Sequence, residues 1–365
     1  MLKFIHAADF HLDSPFRSLP QEQAALRRQG QRRLLDRLMT LCEEEQADFL
    51  LLAGDIFDGQ RVYPETVEAL CAALGSTAMP VFISPGNHDH LHAASPYFTA
   101  KFPKNVHIFT TGALSACELD GAVIYGHAYT SSHCEAHLLD GFSAPQDGRF
   151  HIGLVHSELN PPKPVYYGAV LREEIAASGL DYLALGHVHQ PSSPAQAGRT
   201  VYAYAGCPEG RGFDECGDRG CYVVSLERDK PAALRLAPLA QHRYFDQTLQ
   251  GGEDADWESL AAQCFNGITK RDALRITFTG EVAENRPDLA ALQAKFALLA
   301  DSLTLRDATV PAQNLWARME EDGLTGLFLR EMRRLWDEPE ANHEALTLAL
   351  RYGMAALEGR EEPSL

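Results

Sequence analysis

Five short groups of Asp, Asn and His stand out along the chain: Asp9-Phe10-His11, Gly54-Asp55-Ile56-Phe57-Asp58, Gly86-Asn87-His88-Asp89, His156, and Gly186-His187-Val188-His189. Carboxylate, amide oxygen and imidazole together, with no Cys among them, suit borderline-to-hard divalent cations such as Mn²⁺, Fe²⁺, Zn²⁺ or Co²⁺ rather than copper(I) or an iron–sulfur cluster. In Asp9-x-His11 and His187-x-His189 the two side chains lie two residues apart. Extended backbone then points both to one side, where they can meet one ion or two adjacent ions. Seven donors are too many for one ion with open positions and about right for two ions that share a bridging carboxylate.

Each group follows a short apolar run bounded by Gly, Asp or Pro, the pattern of a buried strand. The runs are 3–8, 49–53, 81–84, 152–155 and 182–185, with further ones at 122–125 and 201–204. A helix carrying Leu34, Leu38, Leu41 and Cys42 separates the first two, and another around 65–74 separates the next two. Residues 1–226 therefore form an α/β domain with a largely buried sheet, whose strand ends collect the chemistry. From about residue 227 the texture changes to a smaller α+β region, with strands near 232–238, 242–249, 272–279 and 302–306 and helices near 254–266 and 287–301. Two amphipathic helices end the chain, one with Leu324, Leu327, Phe328, Met332 and Leu335, the other with Leu346, Leu350, Met354 and Leu357.

The five groups, complete and in this order, resemble the calcineurin-like metallophosphoesterase family over residues 1 to about 225. Ala8-Asp9-Phe10-His11-Leu12-Asp13, Gly54 to Asp58 and the long C-terminal extension resemble its DNA-repair exonuclease branch. The resemblance implies a four-layer sandwich of two packed mixed β-sheets flanked by helices, a DNA-binding capping domain at 227–310 and a helical C-terminal region at 311–365. It gives one metal to Asp9, His11, Asp55 and His189, and the other to Asp55, Asn87, His156 and His187, with Asp55 bridging. His88 matches the family's histidine that is not a ligand; beside a scissile phosphate it would stabilise charge and protonate the leaving oxygen. Asp89 would orient it. The implied activity is two-metal phosphodiester hydrolysis of DNA, most simply with Mn²⁺, as a 3′→5′ exonuclease with endonuclease activity in DNA repair. The implied partners are DNA and an SMC-like coiled-coil ATPase docked on the C-terminal region; pairing of two copies is left open, and no membrane partner is expected. In Tyr204-Ala205-Gly206-Cys207-Pro208, Cys207 departs from the family's usual Ser or Asn, a change that removes no metal ligand.

Charge works against such a substrate. With 32 Lys+Arg against 50 Asp+Glu the 365 residues carry a formal −18, which excludes a surface that binds nucleic acid by uniform positive charge. Local offsets are Arg211 and Arg219 near the Gly-rich loop, and Arg28 and Arg32 within the cluster Arg27, Arg28, Arg32, Arg33 and Arg37 on the first helix, whose plain alternative is a solvated face. Asp13 and Asp58 either support the ligands or cap turns, and the remaining histidines read as ordinary hydrogen-bonded side chains, with His127, at a strand end, the first candidate among them for a place near the site. Eight scattered cysteines with no CxxC pair read as reduced thiols, the N-terminal residues do not form a secretory signal, and a cytoplasmic location is expected. Two other functions fit the same residues: a small-molecule nucleotide phosphoesterase, and a non-catalytic regulator of an SMC-like ATPase.

Overall fold

The computed structural model describes residues 1–17, 19–282, 284–311, 315–338 and 342–359. The chain divides into two compact units, Met1–Phe245 and Asp246–Leu365.

The first unit is built on two six-stranded mixed sheets. One contains β1 (Leu2–Ala7), β2 (Phe49–Leu52), β3 (Val81–Ile83), β4 (Val106–Ile108), β14 (Gly220–Leu226) and β15 (Ala233–Pro238), in the order β15-β14-β1-β2-β3-β4. The other contains β5 (Ser115–Leu119), β6 (Ala122–Gly126), β8 (Phe150–His156), β11 (Tyr182–Gly186), β12 (Ala195–Ala197) and β13 (Thr200–Tyr204), in the order β12-β13-β11-β8-β6-β5. The strands that lead into the five groups, β1, β2 and β3 in one sheet and β8 and β11 in the other, pair in parallel within their sheets.

Alternation along these strands separates the layers. On one face of the first sheet, Ile5, Leu50, Leu52, Val81 and Ile83 pack on α1 (Gln21–Glu44) and α2 (Pro64–Gly75), which contribute Leu34, Leu38, Leu70 and Leu74. On the other face, Phe4, Phe49, Leu51 and Phe82 meet Ile152, Leu154, Tyr182 and Ala184 of the second sheet. Phe4 and Phe49, paired across β1 and β2, stack at 4.6 Å, with Tyr182 edge-on to Phe4 at 5.6 Å. The outer face of the second sheet is covered by α4 (Arg172–Ala177) and by a small sheet of β7 (Cys134–His137), β10 (Tyr167–Val170) and β9 (Glu158–Leu159). A short helix, α3 (Pro96–Thr99), follows the third group. The result is the four-layer sandwich that the resemblance implies. β15 extends its first sheet by pairing antiparallel with β14, so this unit runs to Phe245, past the boundary at 226 that the change of texture implies.

The second unit holds a sheet in the order β16-β17-β18, with β16 (Tyr244–Gln250), β17 (Ala273–Val282) and β18 (Ser302–Pro311); β17 and β18 run parallel. Helices α5 (Trp257–Gln263) and α6 (Leu289–Phe296) belong to it, and Trp257 sits edge-on to Phe278 at 5.5 Å. Helices α7 (Leu324–Trp336) and α8 (His343–Leu357) pack through Leu329, Met332, Leu350 and Met354. Among the described residues no helix is long and apolar enough to cross a membrane.

The intersheet core also holds His6, whose Nδ1 lies 2.9 Å from the Tyr182 hydroxyl. Burial lowers its imidazole from the ordinary 6.5 to about 3. Between those values the unfolded chain takes up a proton that the folded chain refuses. The stabilisation is therefore complete above about 6.5 and is lost as the pH falls, by about 1.4 kcal/mol per pH unit. In urea unfolding with EDTA present, the wild type is expected to lose about 2 kcal/mol more than His6→Gln between pH 6.5 and 5; equal losses would refute this assignment.

Candidate metal centre

All five groups arrive at one place because the parallel strands of both sheets end on the same edge. From the first sheet, Asp9 and His11 follow β1, Asp55 follows β2, and Asn87 follows β3; from the second, His156 ends β8, while His187 and His189 follow β11. Four of these seven, Asp9, His11, Asp55 and His187, have left-handed backbone, with φ of 54°, 44°, 49° and 104°. Such conformations cost non-glycine residues about 1–3 kcal/mol each and persist where the surroundings fix them. Here the strand-end loops are stapled by backbone bonds from Asp9 N to Gly54 O (3.0 Å), His11 N to Asp55 O (2.9 Å) and Ala53 N to Ala7 O (2.9 Å). Two glycines make the convergence sterically feasible: a Cβ on Gly86 would lie 2.2 Å from Asp55 Oδ1, and one on Gly186 would lie 1.7 Å from the Ala53 carbonyl oxygen.

The hydrogen bonds assign the tautomers. His11 donates from Nδ1 to Asp58 Oδ1 (2.8 Å), and His189 donates from Nδ1 to Glu215 Oε1 (2.7 Å). Both Nε2 atoms then carry lone pairs, yet they face each other at 3.0 Å. Two lone pairs repel at that distance unless a cation lies between them, and the Asp9 carboxylate completes a cluster with these two rings. Likewise His156 engages the Ala53 carbonyl oxygen through Nδ1 (2.9 Å), and its Nε2 meets Asn87 Oδ1 (2.9 Å) and Asp55 Oδ2 (3.3 Å). Asp9, Asp55 and His156 form a second, fully buried cluster. These donors fit a pair of divalent cations, with Asp9, His11 and His189 at one, Asn87 and His156 at the other, and Asp55 facing both. The His187 ring packs on that of His156 at 5.1 Å, but its Nε2 lies 3.6 Å from Glu158 Oε1, and among the described residues it belongs to none of these clusters.

Charges in the cluster follow the same logic. Burial raises Asp9 to about 6, against the pull of His156. Burial also opposes a charged Asp55, but His156, by charge and by hydrogen bond, holds that carboxyl well below the usual range. Burial opposes a charged His156 too, yet Asp55 and Asp9 raise it to about 9, so a proton competes for the place of the cation. Burial lowers His11 to about 4, and lowers His187 to about 3 with help from the charge on His156. Burial would raise Glu215, but its bonds to His189 and Arg211 hold it well below the usual range.

Around the donors the structure redistributes several expected roles. His88 stands at the mouth, its side chain 45% exposed, edge-on to His11 at 4.8 Å and with Nδ1 3.4 Å from the Asp58 carbonyl oxygen. Asp89 does not orient it. Its buried carboxylate accepts from Gly86 N (2.7 Å), Ile56 N (2.8 Å), Phe57 N (3.3 Å) and the Tyr97 hydroxyl (2.6 Å), tying the second and third groups together. Asp13 accepts from Tyr63 N (2.9 Å) and the Thr66 hydroxyl (2.6 Å), so it caps the start of α2. His127 is buried against Tyr129 and lies outside the donor clusters.

The arginines are committed elsewhere. Arg219 is fully buried, donating to the His189 carbonyl oxygen and to Gln190 Oε1 (2.9 Å) beside the Cys207 sulfur, which removes it from substrate contact. Arg211 binds Asp58 and Glu215. Arg32 donates to the Thr66 hydroxyl (3.1 Å), Arg28 lies over Tyr63 (5.7 Å), and Arg27 sits between the rings of Phe16 and Tyr244, 5.4 Å from each centre, donating to the Gly210 carbonyl oxygen (3.1 Å). Within that cluster only Arg33 is exposed. Glu215 lies outside the sequence motifs, and its spacing of four from Arg211 is the one local sign of the ion pair they form.

Residues 2–191, more than half of the chain, match the family model of the calcineurin-like phosphoesterases. The chain belongs to that family. Among its relatives are the uncharacterized metallophosphoesterase YhaO of Bacillus subtilis (strain 168), 31% identical over 239 residues covering 62% of this chain, and a subunit of the nuclease SbcCD from the same organism, 27% identical over 264 residues covering 59%. The chain spans 57% and 64% of the length of these two proteins. Members of this family are phosphoester hydrolases that bind two divalent metals, and the matched residues include all seven donors expected from the sequence.

Replacing Asp89 separates architecture from chemistry in this phosphoesterase. Asp89→Ala leaves three backbone N–H groups and the Tyr97 hydroxyl without their acceptor, a loss expected to destabilise the first unit by about 3–5 kcal/mol in urea unfolding. A variant with the wild-type midpoint and no turnover would return Asp89 to the chemistry.

Proposed function

We propose that the chain is a two-metal phosphodiesterase that hydrolyses DNA, a 3′→5′ exonuclease with endonuclease activity, working in DNA repair in the cytoplasm with Mn²⁺ as the ion. The observation that carries the reading is the pair of facing Nε2 lone pairs on His11 and His189, 3.0 Å apart, with Asp55 turned toward both halves of the donor set. The likeness to a subunit of the SbcCD nuclease supports DNA over a small nucleotide, as does a second unit, Asp246–Leu365, beyond the catalytic one. Mn²⁺ suits carboxylate, amide and imidazole donors without thiolate. In the same reading residues 246–310 of the second unit hold DNA and residues 311–365 dock an SMC-like coiled-coil ATPase.

Held by Asp9, His11, Asp55, Asn87, His156 and His189, two such ions would supply Lewis acidity, lowering the pKa of a bound water and offsetting the charge of the phosphodiester. The chain's own residues do the rest. Asp55 Oδ1 accepts from the His88 amide (2.9 Å), which fixes the carboxylate and turns Oδ2 toward His11 (3.6 Å) and His156 (3.3 Å). Asp58 lies 4.0 Å from His88 Nδ1, so the ring's N–H on that side is drawn inward. Nε2 is left for the substrate, where the protonated ring donates to a phosphate oxygen and then gives its proton to the leaving oxygen.

His88→Ala is expected to lower turnover of bis-p-nitrophenyl phosphate and of end-labelled linear DNA by about 10²–10⁴-fold while Mn²⁺ still binds. Asp55→Asn is expected to lose both ion binding and turnover. Retained turnover in both purified variants would refute the mechanism, and cyclic nucleotides cleaved in preference to linear DNA would refute the substrate.

A further inference from the structure

We infer that Arg211 and Glu215 are positioning residues of the ion site that Asp9, His11 and His189 form, and not contacts for the substrate phosphate. The inference rests on the two-metal reading. Both residues lie on the connection between β13 and β14. Arg211 joins the two carboxylates that orient the histidines: Nη1 donates to Asp58 Oδ1 (3.2 Å), Nε to Glu215 Oε2 (3.2 Å) and Nη2 to Glu215 Oε1 (2.7 Å). The Arg211 amide donates to Glu215 Oε2 as well (2.8 Å). Nη2 lies 3.0 Å from His189 Nδ1, but a guanidinium cannot accept, so the Nδ1 proton goes to Glu215.

His11, Asp58, Arg211, Glu215 and His189 thus form an unbroken chain behind the two imidazoles, and the gap between the facing Nε2 atoms closes it into a ring. The planar guanidinium suits this task because its fork addresses two carboxylates at fixed angles, which a lysine ammonium cannot do. Without Glu215 the His189 ring loses the acceptor that selects its tautomer. Without Arg211 two carboxylates lose the cation between them. The loop is held in place from both sides, by Arg27 on the Gly210 carbonyl oxygen and by Arg219 on the His189 carbonyl oxygen. With its side chain only 21% exposed, Arg211 would have to break these bonds to reach a phosphate.

Binding of Mn²⁺ to the full chain, followed by titration calorimetry, tests this. Glu215→Gln and Arg211→Lys are each expected to weaken one of the two ion sites by about 10–100-fold, the usual effect of losing a group that orients a ligand, and to leave the other near its wild-type affinity. The visible absorption of bound Co²⁺ should change for the weakened site. At saturating Mn²⁺ the KM for bis-p-nitrophenyl phosphate should stay near that of the wild type. Wild-type affinity at both sites together with a raised KM in Arg211→Lys would overturn the inference and make Arg211 a phosphate contact. Should Glu215→Gln fail to fold by circular dichroism, Arg211→Lys, which keeps the charge, gives the same decision. A wild-type chain that takes up no ion would overturn the two-metal reading itself.

Discussion

Asp55 is the point at which the two sheets meet chemically. One of its oxygens is held by the His88 amide and the other is turned toward imidazoles that come from different sheets, His11 after β1 and His156 at the end of β8. A carboxylate buried this deeply is tolerable only while positive charge faces it. That requirement accounts for much of the local architecture. The left-handed turn at Asp55, the absence of side chains at Gly86 and Gly186, and the Asp89 carboxylate that binds the amides of Ile56, Phe57 and Gly86 all serve to bring this one group into the cluster and keep it there.

Much of this was legible in the sequence, because the signals were local and of the right kind. Strands such as 49–53 and 182–185 are uniformly apolar since the sheet is covered on both faces, and the donors come immediately after them. What was not legible depends on pairing between distant segments. Asp89 next to His88 suggested a partnership, but side chains adjacent in sequence point apart, and Asp89 finds amides more than 30 residues away. Arg219 reads as a surface cation until β14 carries it into the interior beneath His189. The change of texture at about 227 reads as a domain boundary, yet β15 returns to the first sheet beyond it, because an antiparallel edge strand requires only a short connection.

The placement of the arginines changes how the net charge of −18 is understood. Arg27, Arg32, Arg211 and Arg219 are each occupied with carbonyl, hydroxyl or carboxylate groups of the protein, so they tie loops and the start of α2 in place instead of drawing in phosphates. In the proposed function the attraction for a polyanion at the reacting bond rests mainly on the ions themselves, the largest local charges the site can hold. An acidic surface elsewhere then discourages unproductive adsorption along nucleic acid, and engagement is favoured where a phosphate can reach the metals.

The donors are also strung out along the chain, from Asp9 to His189, with Glu215 behind them. Synthesis proceeds from the N-terminus, so Asp9, Asp55 and Asn87 emerge long before the histidines of the second sheet exist. The centre cannot assemble until β11 and the turn after it have been made, by which time most of the intersheet core is available to fold. A chain abandoned early in translation therefore carries an incomplete ligand set, and the capacity for hydrolysis arrives only with a nearly finished catalytic unit.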